Sequence, residues 1–265
     1  MYIAIDGTGV PVVRAETEGR AGKGEVGRAR IREAKLACVF TQTKVDEDGY
    51  PVRDPGSSSY LATFAPAAGF GVLMAAGARR RGAGHVRQLT ILGDGAVWIW
   101  NLASEHFPEA TQIVDLYHAR EHLHDLGKSL AFMLGDTSSG WLAERSAELD
   151  AGDIAALAAA ARAFPLTGVK AAERDKALAY FEVNTSRMRY KHFRSHGMFV
   201  GSGVVEAGCK AVIGQRLKLS GMHWTCTGAA GILTLRCQQA SGRWEEIWHQ
   251  PNNQTQPPDL ARRAS

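Results

Sequence analysis

Long apolar runs are missing from this sequence. No stretch approaches the roughly 18 consecutive apolar residues needed to cross a bilayer, and Met1–Asp6 has neither the basic start nor the apolar middle of a signal peptide. The chain therefore reads as cytoplasmic. Cysteine is sparse and unpatterned: Cys38, Cys209, Cys226 and Cys237 include no C-x-x-C pair, which argues against a zinc knuckle and for reduced, mostly buried thiols. No internal repeat is present. The glycine-rich "EGRAGKGEVGR" fails as a phosphate loop, because Gly22-Lys23 is followed by Gly24 rather than Ser or Thr. What remains is a globular composition, 45% hydrophobic over 265 residues, enough for one large domain or two small ones.

Charge of one sign is also scarce overall, at a net +4, but its distribution is uneven. From Val169 to Lys218 ten Lys/Arg face four acids. Within this region "RMRYKHFRSHGMF" interleaves Arg187, Arg189, Lys191 and Arg194 with Tyr190 and Phe193, and Lys210, Arg216 and Lys218 follow. Cations alternating with aromatics suit a nucleic-acid backbone, and the same pattern suits an ordinary solvated basic face. DNA is thus a candidate partner, and a membrane is not.

Alternation and turn residues give the organisation. "YIAIDGTGVPVV", "RIREAKLACVFTQTKV" and "SSYLATFA" read as three strands. A helix from about Pro66 to Arg81 follows, then strand "RQLTILGD", helix "AVWIWNLASEHF", strand "ATQIVDLY" and a helix from about His118 to Leu134. This order predicts an α/β fold with a mixed five-stranded sheet flanked by helices over residues 1–134. Residues 135–201 read as a helical insertion, and residues 202–248 as closing helices, with Ser202 as an N-cap. Residues 249–265, rich in Pro, Asn and Gln, read as a disordered tail.

Two strands end in a carboxylate beside glycine, at Asp6-Gly7 and at Gly93-Asp94-Gly95. Alone, Asp-Gly is a turn. At the carboxyl ends of adjacent strands, however, two such acids repel unless a cation neutralises them, and their hard oxygens suit Mg2+ or Mn2+. Glu206, near the start of a helix among small and apolar residues, is the third candidate, although a Glu in a first turn also complements the helix dipole. Three such acids can build a two-metal site for in-line phosphodiester cleavage. A competing pattern is His118-Ala119-Arg120-Glu121-His122, which matches the inverted zinc-protease motif H-x-x-E-H. It lacks a downstream acid ligand and gives no role to Asp6 or Asp94.

Taken in order, "AIDGTGVPVV", "REAKLACVF", "LGDGAVWIWNLASEHFPEATQIVDLYHAREHL", "GSGVVEAGCKAVIGQRLKLSGMHW" and "GAAGILTLRCQQASGRWEEIW" resemble the catalytic half of bacterial insertion-sequence transposases of the ISKra type, relatives of the Mutator-like and hAT groups. The resemblance runs from residue 2 to about Trp248. It implies an RNase H-like fold interrupted by a helical insertion, and a DDE triad at Asp6, Asp94 and Glu206 holding two Mg2+ or Mn2+ ions. It implies a supporting [C/D]-x-x-H element at Asp115 and His118, 21 residues after Asp94. It also implies cleavage of DNA at element ends, strand transfer into target DNA, and a homo-oligomer assembled on DNA at the nucleoid. Members of that group carry an N-terminal region that recognises element ends, whereas this chain opens at Met1 directly before its first catalytic strand. The expectation is therefore a chain without its own end recognition. Alternative readings are another RNase H-like nuclease, a silent DNA-binding remnant and, more remotely, an H-x-x-E-H zinc peptidase.

Overall fold

A computed structural model describes residues 1–19 and 30–249. Most of the glycine-rich loop and the tail from Gln250 lie outside the described residues.

The first strand, β1 (Tyr2–Pro11), is buried over Tyr2–Ile5 and again at Val10, and half-buried at Asp6–Gly9 and Pro11, so its amino half is core and most of its carboxyl half is rim. It pairs antiparallel with β2 (Ile31–Phe40), Tyr2 opposite Phe40 and Asp6 opposite Leu36. β2 ends at Phe40, short of the expected Val45. There the chain peels away because the Asp54 carboxylate accepts from the Thr41 and Thr43 hydroxyls and the Thr43 amide. A two-stranded hairpin, β3 (Lys44–Val45) and β4 (Pro51–Val52), follows. β5 (Ser59–Thr63) then adds antiparallel to β2.

Helix α1 (Ala67–Arg80) crosses to β6 (Thr90–Gly93), which pairs parallel with β1 on its other side. α2 (Val97–His106) crosses to β7 (Thr111–Val114), parallel to β6. The sheet order is β5-β2-β1-β6-β7, so the first three strands and the two βα crossovers meet between β1 and β6. This mixed α/β sheet flanked by helices matches the expected class and is consistent with an RNase H-like arrangement. Its core is continuous: Ile3, Ile5, Leu36, Phe40, Ile91, Leu92, Ile113 and Val114 from the strands pack with Phe70, Met74 and Ile99 from the helices.

α3 (Leu116–Leu134) starts two residues earlier than the sequence suggests, because Asp115 caps it by accepting from the His118 amide at 2.8 Å. Residues 135–201 then form α4 (Ser138–Ala151), α5 (Ile154–Arg162), α6 (Gly168–Val183) and α7 (Tyr190–Ser195), with α4 and α6 packed on α3. The chain returns to the sheet through α8 (Gly203–Gly208), a π-helical segment (Cys209–Gly214) and α9 (Gln215–Leu217). α10 (Cys226–Ala240) lies on β5, and α11 (Glu246–His249) follows. No helix among the described residues is long and apolar enough to cross a membrane.

Candidate functional site

The parallel register of β1 and β6 runs Tyr2 with Thr90, Ile3 with Ile91 and Ala4 with Leu92. Carried two residues further, the same offset sets Asp6 level with Asp94, at the carboxyl ends of two adjacent strands where α/β sheets bind ligands. Both acids are partly exposed, each accepts from an amide of its own turn, and Asp6 also bonds the Cys209 thiol. The Asp6 Oδ1 accepts from the Gly7 amide at 2.6 Å, and the Asp94 Oδ1 accepts from the Ala96 amide at 2.8 Å.

One strand over, Asp115 is fully buried and tied to distant chain. Its amide donates to the Gly93 carbonyl at 2.7 Å. Oδ1 accepts from the His118 amide and lies 3.2 Å from His118 Nδ1, while Oδ2 accepts from the Ser202 amide. Burial pushes the Asp115 carboxyl up, but the His118 and Ser202 donors outweigh it and hold the group below its ordinary value. The same contact pushes His118 up to about 9, against the opposing effect of burial.

Glu206 joins this pair. Asp115, His118 and Glu206 each offer a ligand atom within 4.8 Å of the others, a cluster that can hold a metal ion. Among the described residues no comparable group of three includes Asp6 or Asp94. The triad expected from the sequence is thus not gathered as one ligand group: Asp6 and Asp94 follow adjacent strands at the same height by strand offset, and Glu206 lies with Asp115 and His118. The acids still share one end of the sheet. The Cys209 thiol is pushed up by burial and then by Asp6, with Glu206 adding to it, and His118 feels Asp94 as well as Asp115.

Two expectations about this region change. Glu206 is exposed, not lodged among apolar groups, because it stands on the outer side of α8 and its Oε1 accepts from the Ser202 hydroxyl at 3.2 Å. Ser202 occupies the N-cap position, yet its hydroxyl makes no cap bond because it is turned toward Glu206. The H-x-x-E-H pairing does not form either. The His122 ring stacks on Tyr180, centroids 3.7 Å apart at 25°, and does not join His118 and Glu121 in a ligand group.

Tyr180, on α6 of the insertion, carries no signal in the sequence and sits directly over the Asp94 turn. Its hydroxyl donates to the Asp94 carbonyl at 2.9 Å. Its ring fills the space above Gly95, where φ is +100° and an added Cβ would meet the ring at 2.5 Å, so the turn requires glycine on both counts. Burial, followed by the Asp94 charge, pushes the phenol up, so it stays a donor.

The basic stretch does not form the interleaved surface expected of it. Tyr190 and Phe193 are three apart on α7 and both point into the core of the insertion. Arg187 is half-buried, donates from Nε to Gln112 at 2.8 Å and lies 4.9 Å over the Trp100 ring, binding the insertion to α2 and β7. Arg194 lies 3.7 Å from the Asp150 carboxylate that Arg120 holds at 2.6 Å. Arg189 stacks on Phe193 at 5.5 Å, and Lys191 is exposed. Nearer the acids, Lys218 donates to the Thr8 hydroxyl on β1, Arg216 lies 5.0 Å over Trp224, and Lys210 is exposed on the π-helical turn after Glu206.

No family model matches this chain, and no curated protein or solved structure matches it either.

Proposed function

We propose that the chain is the catalytic half of an insertion-sequence DDE transposase, an enzyme that cleaves DNA at element ends and joins the 3′ hydroxyl to target DNA. The observation that carries this reading is the level placement of Asp6 and Asp94 on the two central parallel strands, with Glu206 returning to the same end of the sheet after the insertion. In this reading Asp6, Asp94 and Glu206 hold the metal. Their donors are all carboxylate oxygens, partly exposed at Asp6 and Asp94 and exposed at Glu206, which suits Mg2+ or Mn2+. Two such ions, when bound, supply activation of the attacking water or hydroxyl and stabilisation of the leaving oxygen. Glu206 reaches the pair by rotating its exposed side chain away from Ser202.

The DNA backbone is met by cations that are free of strong internal ties. Lys191 and Lys210 fit that role, Arg189, Lys218 and Arg216 reach it only by leaving Phe193, Thr8 and Trp224, and Arg187 and Arg194 serve the insertion's own packing. Assembly of several copies on DNA, at the nucleoid of a bacterial cell, belongs to the same reading.

A strand-transfer assay on pre-cleaved element ends with Mn2+ tests it. Joined product is expected, and Asp6→Asn or Asp94→Asn should lower it by orders of magnitude. Cleavage without joining indicates a different RNase H-like nuclease. A second reading, a silent DNA-binding remnant, is favoured by one observation: the ligand atoms of Glu206 gather with Asp115 and His118, not with Asp6 and Asp94. Salt-dependent DNA binding with no metal-dependent cleavage marks that outcome.

A further inference from the structure

We propose that Asp115, His118 and Glu206 form a one-ion site for a borderline divalent transition ion of the zinc class, separate in chemistry from the all-oxygen Asp6/Asp94 edge. The proposal does not rest on the transposase reading: it involves no DNA, takes no ligand from Asp6 or Asp94, and shares only Glu206 with that reading. It goes beyond the proximity of three groups in four respects.

The donor set is mixed. An imidazole nitrogen with two carboxylate oxygens suits Zn2+ or Co2+ better than Mg2+, which prefers oxygen and keeps its waters. The distances are closable. Ligand atoms about 2.0–2.2 Å from zinc in tetrahedral geometry stand roughly 3.3–3.6 Å from one another, so a set within 4.8 Å, with Asp115 and His118 already 3.2 Å apart, needs to contract by at most about 1.5 Å. Glu206 is the member able to move, being exposed and held only by one 3.2 Å bond to a hydroxyl.

The other two ligands are oriented beforehand. Asp115 is fixed by the Ser202 and His118 amides, and His118 Nδ1 already lies 3.2 Å from Asp115 Oδ1, close to the separation of two ligands on one ion. Local charge also favours a cation. Among the described residues no Lys or Arg forms an ion pair with Asp115 or Glu206, whereas Asp94 and Glu121 both act on His118. The side chain of His118 is 30% exposed and Glu206 faces solvent, so an ion can enter and keep water in its remaining positions. Such an ion bridges the start of α3 to α8, fastening the chain that follows the insertion onto the sheet.

Cobalt titration of the chelator-treated full chain tests this, because Co2+ stands in for zinc and reports its ligands by absorption. One tightly bound ion per chain is expected ahead of any weaker binding at Asp6 and Asp94, with d–d bands, no thiolate charge-transfer band and Mg2+ competing poorly. His118→Asn and Glu206→Gln should each weaken Co2+ binding about tenfold or more, while Asp6→Asn leaves it within about twofold. Thiolate bands would move the ion to a cysteine and overturn the site. So would dependence on Asp6, or unchanged affinity in Glu206→Gln, the exposed variant whose folding is not at stake. The transposase reading fails on a different result, the indifference of cleavage to Asp6→Asn and Asp94→Asn.

Discussion

Two acidic groups stand at neighbouring strand ends and are built in opposite ways. Asp6 and Asp94 are partly exposed, and each carboxylate bonds an amide one or two residues away, with the Cys209 thiol as a further partner of Asp6. Asp115 is buried, and its carboxylate bonds Ser202, 87 residues on in the chain. A carboxylate satisfied by its own turn leaves lone pairs free at little cost to the fold, whereas one that closes a long-range contact is part of the fold. The difference separates acids available for chemistry from an acid that holds the chemistry's scaffold.

The largest effect should therefore fall on Asp115. Asp115→Ala leaves the Ser202 amide and the His118 ring without their buried partner and removes the cap of α3, so urea denaturation should show a loss of about 3 kcal/mol. Asp6→Asn and Asp94→Asn should each stay within about 1 kcal/mol. A smaller loss for Asp115→Ala than for either of these would dissolve the comparison.

The pH dependence of the metal-free chain sharpens it. His118 is raised in the folded state to about 9 by Asp115, so its contribution is fully present below its ordinary value near 6.5 and is lost as pH rises through about 9. Melting temperature should fall across that window. His118→Asn should flatten the fall. A slope that persists in His118→Asn assigns the titration to another group.

Within the basic region the same contrast recurs at lower magnitude. Arg187→Ala should cost about 1–2 kcal/mol, because it removes a bond to Gln112 and a cation over Trp100. Lys191→Ala should change stability by less than about 0.5 kcal/mol. On DNA, Lys191→Ala should lower the salt slope by about one unit if it neutralises a phosphate. Equal stability losses for the two variants would erase the distinction drawn between them.

Much of the sheet was legible because its signals are local. Alternation in "YIAIDGTGVPVV" and the strand-helix-strand rhythm after Pro66 suffice to place β1, β6 and β7, and Asp-Gly after a strand marks Asp6 and Asp94. What was not legible depends on docking. Glu206 meets His118 because Val200 accepts from the Leu116 amide and Asp115 accepts from Ser202, contacts that no spacing announces. Tyr180 reaches Asp94 through the packing of α6 on α3, which a helical pattern does not orient. The basic stretch misled for a related reason: "RMRYKHFRSH" looks interleaved in one dimension, but on α7 its two aromatics fall three apart on the inward face.

A shift in stability as small as that of Lys191→Ala, with the most informative change in activity, is expected at Glu206→Gln. The change keeps the side chain's size and leaves an oxygen to accept from the Ser202 hydroxyl, at an exposed position in a short helix, so stability should move by well under about 1 kcal/mol. Removing the charge takes away a hard oxygen ligand, and cleavage of pre-nicked ends with Mn2+ should fall by orders of magnitude while DNA binding holds. Glu109→Gln is a suitable control, being exposed at the turn before β7. Glu182 is not, because it holds Arg162 at 2.5 Å. If Glu206→Gln cleaves like the unchanged chain, Glu206 leaves the triad and belongs with Asp115 and His118 alone. If it binds Co2+ normally but cannot cleave, its place is with Asp6 and Asp94. Loss of both makes Glu206 the one acid that serves either side, and that outcome is the one its exposed, movable position between the two groups predicts.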